Sequence, residues 1–157
     1  MRPATAGFSG NRGITMSILW QSSLYAFGFY VALNAFIMLV LGILVTRARV
    51  VTKTDIGDGG KPEMAAPLRA HANNAEWTPM ALLLMWTLTT PLGTSIWLIH
   101  GIGVPLTLGR ILHGIGMSGS TGPGPLRFLG MILTWIAYIV GIVGVLWLVF
   151  TPQAAAS

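Results

Sequence analysis

Arg69, Asn73 and Glu76 stand at i, i+4 and i+7, a spacing that puts a guanidinium, an amide and a carboxylate on one face of a helix. The stretch they belong to, Arg69–Pro79, runs straight into the apolar segment Met80–Leu88, so the helix they imply enters a membrane. Polar groups there are costly unless they satisfy one another or a ligand, and they are functional suspects by default. Arg110 and His113, one turn apart on a later segment, and Arg127 extend the set. Several arginines around one acid suit an anion, or a ligand carrying more than one carboxylate.

The elements that position these residues follow from composition. The chain has 157 residues, about one domain's worth. Apolar residues make up 54% and charged residues 8%, with a mean hydropathy of +0.72, well away from soluble domains. The expectation is an all-α integral membrane protein. Nine Lys and Arg against four Asp and Glu give a net charge of +5. The basic residues gather in one hydrophilic segment and at helix ends, where the positive-inside rule accounts for them without nucleic acid. The chain has no cysteine, hence no disulfide, no Cys-ligated metal and no thiol of its own. Three histidines with no close pair give no metal site.

Four spans are expected, forming a four-transmembrane-helix bundle over residues 17–150. Residues 1–16 read as a disordered, Gly-rich segment, with Met16 an alternative start, and 151–157 as a short tail. No secretory signal is expected, because no small-residue cleavage site follows a short apolar run. The first span covers about Ser17 to Val45 and ends at Thr46-Arg47-Ala48-Arg49. The connection from Arg47 to Arg69 holds five of the nine basic residues and three of the four acids. Its Asp55–Pro62 stretch has turn chemistry, but no strand precedes it and it lacks a phosphate-loop ending. The second helix begins near Pro62 and continues to about Thr90, with Pro79 inside it; Glu76 lies about 10 Å deeper than Arg69 at 1.5 Å per residue. A tight turn, Thr90–Thr94, leads to a third span from about Ser95 to Met117. A polar break, Ser118–Pro125, precedes a fourth that ends near Phe150.

Four spans put both termini on one side. The two Arg-bearing connections, 47–69 and 118–127, then lie together in the cytoplasm, with Arg2 and Arg12 the minority vote. Arg47, Arg69, Asn73, Glu76, Arg110, His113 and Arg127 all gather near that face. Simpler readings exist for single residues. Arg47, Arg49 and Lys53 read individually as snorkelling cations, Arg110 as an orientation anchor, and His100 as an interfacial or packing residue. Asn34 reads as an interhelical hydrogen bonder. For Glu76 two readings stand side by side: a structural ion pair with Arg69 or Arg110, or a ligand contact.

The run Leu68-Arg69-Ala70-His71-Ala72-Asn73-x-x-Glu76-x-x-Pro79 resembles the signature of the MAPEG family, membrane-associated proteins in eicosanoid and glutathione metabolism. Gly109-Arg110-Ile111-Leu112-His113 and Pro125-Leu126-Arg127 strengthen the likeness, and the Gly-Asp-Gly-Gly segment is similar to the bacterial branch. The resemblance implies a homotrimer, with glutathione held between neighbouring subunits near the cytoplasmic side of a bacterial inner membrane. It implies that Arg47, Arg69, Asn73, Glu76, Arg110 and His113 bind the tripeptide, Glu76 taking its amino group and Arg69 a carboxylate. Arg127 matches the arginine that stabilises the glutathione thiolate; a nearby cation lowers a thiol's pKa from about 8.5. Trp77 and Met117 stand where animal members often carry tyrosines. The expected function is that of a glutathione transferase or peroxidase for detoxification of hydrophobic electrophiles. The alternative is a non-catalytic lipid-binding or scaffold protein of the same fold. A transporter is disfavoured, since one polar cluster at one face is not a path across the membrane.

Overall fold

Hydrophobic runs interrupted by Gly, Pro and Asp segments give four long helices in a computed structural model that describes residues 22–89, 95–118 and 122–151. They are α1 (Ser23–Thr52), α2 (Pro62–Thr87), α3 (Ile96–Ser118) and α4 (Pro125–Phe150). At 1.5 Å per residue they are roughly 35 to 45 Å long, enough to cross a bilayer. By length and apolarity α1, α3 and α4 are membrane spans; α2 has the length, but its polar first half lowers its hydropathy. The expectations for residues 1–21, for the turn at 90–94, for 119–121 within the polar break and for the tail beyond 151 lie outside the described residues.

The starts of α2 and α4 match expectation: Pro62 and Pro125 occupy first-turn positions, where the missing N–H costs nothing. Helix α1 differs. It runs past Val45 to Thr52, because no breaker interrupts Thr46–Thr52, and ends only where Lys53 turns left-handed (φ 53, ψ 49). Arg49 is then not a free snorkelling cation. Its Nη1 donates to the carbonyls of Thr54 (3.1 Å) and Asp55 (2.8 Å), while Lys61 Nζ bonds the Thr52 carbonyl. Asp58 Oδ1 accepts from the Gly60 amide at 2.9 Å. This connection is therefore tied to the end of α1.

Packing is most extensive between α3 and α4; α1 rests on α2 and α3, away from α4. Two apolar clusters form. The larger joins Tyr30, Ala81, Met85, Leu88, Ile99 and Leu106 with their neighbours, and the smaller joins Leu41, Ala70 and Met117. Between them lies a layer of buried polar side chains that includes Asn34, Asn74, Thr107, Arg110, His113 and Thr134. That layer holds the buried part of the candidate site, Arg110 and His113.

Candidate functional site

Helices α3 and α4 meet through glycine. A Cβ on Gly130 would lie 2.6 Å from the His113 backbone nitrogen and 2.7 Å from the Gly109 carbonyl; one on Gly116 would lie 2.7 Å from the Arg127 nitrogen. Real side chains do not approach backbone so closely, so these positions are what let the helices touch. The contact sets His113 and Arg127 at one level of the bundle. Thr134 also lies at the seam, its hydroxyl 2.9 Å from where a Cβ on Gly109 would stand, and it donates within α4 to the Gly130 carbonyl at 2.8 Å.

Arg110, only 2% exposed, points from α3 toward α2. Its Nη1 donates to Asn73 Oδ1 at 3.0 Å and to the Asn73 carbonyl at 3.3 Å. Its Nε is buried with no partner among the described residues. Arg110 is therefore no surface anchor, and no acid pairs with it among the described residues. A guanidinium offers five N–H donors; held inside a bundle by the two neutral carbonyl oxygens of Asn73, it is an incompletely compensated charge.

Asn73 is half-buried, while Arg69 and Glu76 are exposed on the surface of this single chain. Neither has a hydrogen-bond or ion-pair partner among the described residues. The structural ion pair of Glu76 with Arg69 or Arg110 is thus absent within the chain: Arg110 turns to Asn73 instead, and Glu76 faces outward on the same side of α2 as Met80 and Leu83. Arg47 is exposed on the body of α1, lining a surface cleft of about 320 Å³ with Glu63, Pro67 and Ser118. Arg127, in the first turn of α4, is half-buried and borders a groove with Pro123, Phe128 and Met131. One chain thus brings Asn73 to Arg110, and His113 and Arg127 to one seam. It leaves Arg47, Arg69 and Glu76 pointing outward.

Residues absent from the expected set also shape the site. Tyr138 on α4 donates to the Trp77 carbonyl at 2.6 Å and meets its ring edge-on, fixing α2 one residue from Glu76. Asn34 donates to Thr107 Oγ1 at 3.0 Å, as expected of an interhelical hydrogen bonder. His100 bonds Tyr30 at 2.9 Å, the packing role expected of it. A lone tyrosine in an apolar span carries no sequence signal that sets Tyr138 apart from any other interfacial aromatic.

The MAPEG family model matches residues 27–147. The chain belongs to the MAPEG family. Inner membrane protein YecN of Escherichia coli strain K12 is 30% identical over 118 residues, covering 75% of this chain and 88% of the relative. The same protein from strain CFT073 of Escherichia coli O6:H1 matches equally well. No solved structure matches significantly. This MAPEG chain is an integral membrane protein, and the matched region takes in every candidate residue from Arg47 to Arg127.

Proposed function

We propose that the protein binds glutathione and acts as a glutathione transferase or peroxidase on hydrophobic electrophiles. It works as a homotrimer in a bacterial inner membrane, with α2 as the fourth span and the α1–α2 and α3–α4 connections in the cytoplasm. One observation carries this reading: among the described residues, Arg110 is buried against Asn73 with no acid, beside a helix face on which Arg69 and Glu76 have no partner. A carboxylate bare to hydrocarbon is costly. A second copy over the α2 face, with a zwitterionic tripeptide between, would pair these charges. Glu76 takes the ligand's ammonium, Arg69 and Arg110 its carboxylates, and Arg47 reaches it from a neighbouring copy.

Arg127 stabilises the thiolate electrostatically. In a transferase turnover the sulfur lone pair forms a C–S bond while the leaving group or ring oxygen of the electrophile takes the displaced electron pair. In a peroxidase turnover two glutathione thiols give up two electrons and two protons, forming one S–S bond as the O–O bond of the hydroperoxide breaks to an alcohol and water. Calorimetric titration of the detergent-purified protein tests the binding: wild type is expected to bind glutathione and Glu76→Ala to bind it weakly. Silence of the wild type at millimolar glutathione ends the proposal. Binding without turnover across an electrophile panel makes the protein a lipid-binding or scaffold member instead.

A further inference from the structure

Phe36, Val40, Leu44, Arg47 and Val51 stand at helical spacing on one face of α1, and two hollows open along that face. One, of about 430 Å³, lies between Val40, Leu41 and Leu44 of α1 and Ile111 and Ile115 of α3. Arg110 borders it from behind, its guanidinium turned to Asn73. The other, of about 320 Å³, is bounded by Arg47 and Val51 of α1 and by Glu63 and Pro67 of α2. Leu44 and Ser118 border both, so the two adjoin as one groove. Its walls are hydrocarbon from Phe36 to Leu44 and charged at Arg47 and Glu63. Those two stand on different helices across the cleft, and neither has a hydrogen-bond or ion-pair partner among the described residues. At 1.5 Å per residue Arg47 lies about 16 Å along α1 from Phe36, half of the roughly 30 Å hydrocarbon core. Glu63 in the first turn of α2 and Ser118 at the last residue of α3 put the charged end at the level of the helix ends, where lipid headgroups lie.

We propose that this groove holds a zwitterionic aminophospholipid, its phosphate against Arg47, its primary ammonium against Glu63 and one acyl chain along Val40, Leu44 and Ile115. Charge complementarity selects the head. An anionic lipid or a fatty acid answers Arg47 but sets a like charge beside Glu63, and a cationic amphiphile does the reverse. A choline head brings a cation with no N–H to donate to the carboxylate. The apolar half, one leaflet deep, selects a chain-bearing ligand over a water-soluble zwitterion. Glu63 also suits the positive end of the α2 dipole, which accounts for its place but not for a cation across the same cleft. Arg47 belongs to the glutathione set as well; its five donors can serve a lipid phosphate within the chain and a ligand carboxylate of a neighbouring copy. Glu63 belongs to the lipid site alone.

The test titrates the full-length, detergent-purified protein with an equimolar mixture of phosphatidylethanolamine and phosphatidylglycerol of identical chains, and native mass spectrometry reads the first lipid bound. Glu63→Gln, an exposed and nearly isosteric change, should lower the ethanolamine-to-glycerol ratio about fivefold, the worth of one partly exposed ion pair. Ile115→Trp fills the apolar hollow from an exposed position on α3 and should weaken binding of the ethanolamine lipid about tenfold. Phosphoethanolamine, the head without its chains, should not compete at millimolar concentration. Calorimetry should give wild type and Glu63→Gln the same glutathione affinity, and a chain that binds no glutathione leaves the lipid result standing, so the two readings fail separately. A ratio unmoved by Glu63→Gln, lipid binding indifferent to Ile115→Trp, or displacement by phosphoethanolamine alone overturns the proposal. Weaker glutathione binding in Glu63→Gln does so too, because the cleft then belongs to the glutathione site.

Discussion

Between α3 and α4 the backbones come so close that one added carbon at Gly130 would stand 2.6 Å from the His113 nitrogen. On α2, by contrast, Arg69 and Glu76 project outward with no partner among the described residues. Both regions carry residues of the proposed site, yet one is fixed by packing and the other is incomplete in a single chain. The fixed half sets His113 and Arg127 at one level; small residues achieve this in a bilayer, where the hydrophobic effect does not hold helices together. The open half holds charges that hydrocarbon does not tolerate. In the proposed function a partner copy and a ligand pair those charges. Changes to the packing glycines of the first region should therefore act on folding, and changes to the exposed charges of the second on binding.

The largest expected effect breaks the fixed half. Gly130→Ala forces α4 away from backbone that cannot yield, costing about 3 kcal/mol; lost monodispersity or a markedly lower melting temperature in detergent would register it. Gly28→Ala is the matched control, because its new Cβ meets nothing within 4 Å, and its melting temperature should hold or rise. Arg127→Ala comes next: turnover near neutral pH should fall about a hundredfold with little change in glutathione affinity. Losing the cation raises the thiol's pKa, so the thiolate fraction at neutral pH drops and activity should recover as pH rises. A pH–rate profile unmoved by the substitution would remove Arg127 from thiolate stabilisation.

Glu76→Ala sharpens the contrast from the other side. It should weaken glutathione binding by roughly 1.5–3 kcal/mol, ten- to a hundredfold, and leave the melting temperature of the ligand-free protein near wild type; a large stability loss would make Glu76 a structural residue. The smallest effect falls in the polar layer. Thr107→Val removes one interhelical hydrogen bond to Asn34 and should cost about 0.6 kcal/mol, read as a small shift in thermal unfolding.

Much of the fold was legible because hydropathy and proline placement act locally. Pro62 and Pro125 opened the helices where expected, and the third helix fell within a residue of its predicted ends. The end of α1 was misplaced because Arg47 and Arg49 look like interfacial cations, whereas Arg49 turns its guanidinium onto the carbonyls of the connection and the helix continues beneath it. The candidate set was legible as a list of residue types and spacings. Its pairings were not. Periodicity puts Arg69, Asn73 and Glu76 on one face but does not say that Asn73 is claimed by Arg110 from α3, nor that Tyr138 of α4 holds the backbone beside Glu76.

The amino-acid sequence by itself determined a helical membrane protein, its polar helix face and its MAPEG signature, since each depends on composition or on spacing along one helix. The tertiary structure alone decided which cation is buried and which acid is left outside, and that Arg47 and Glu63 line one cleft. Those are outcomes of how α1, α2, α3 and α4 approach one another, and glycines far apart in the chain set that approach.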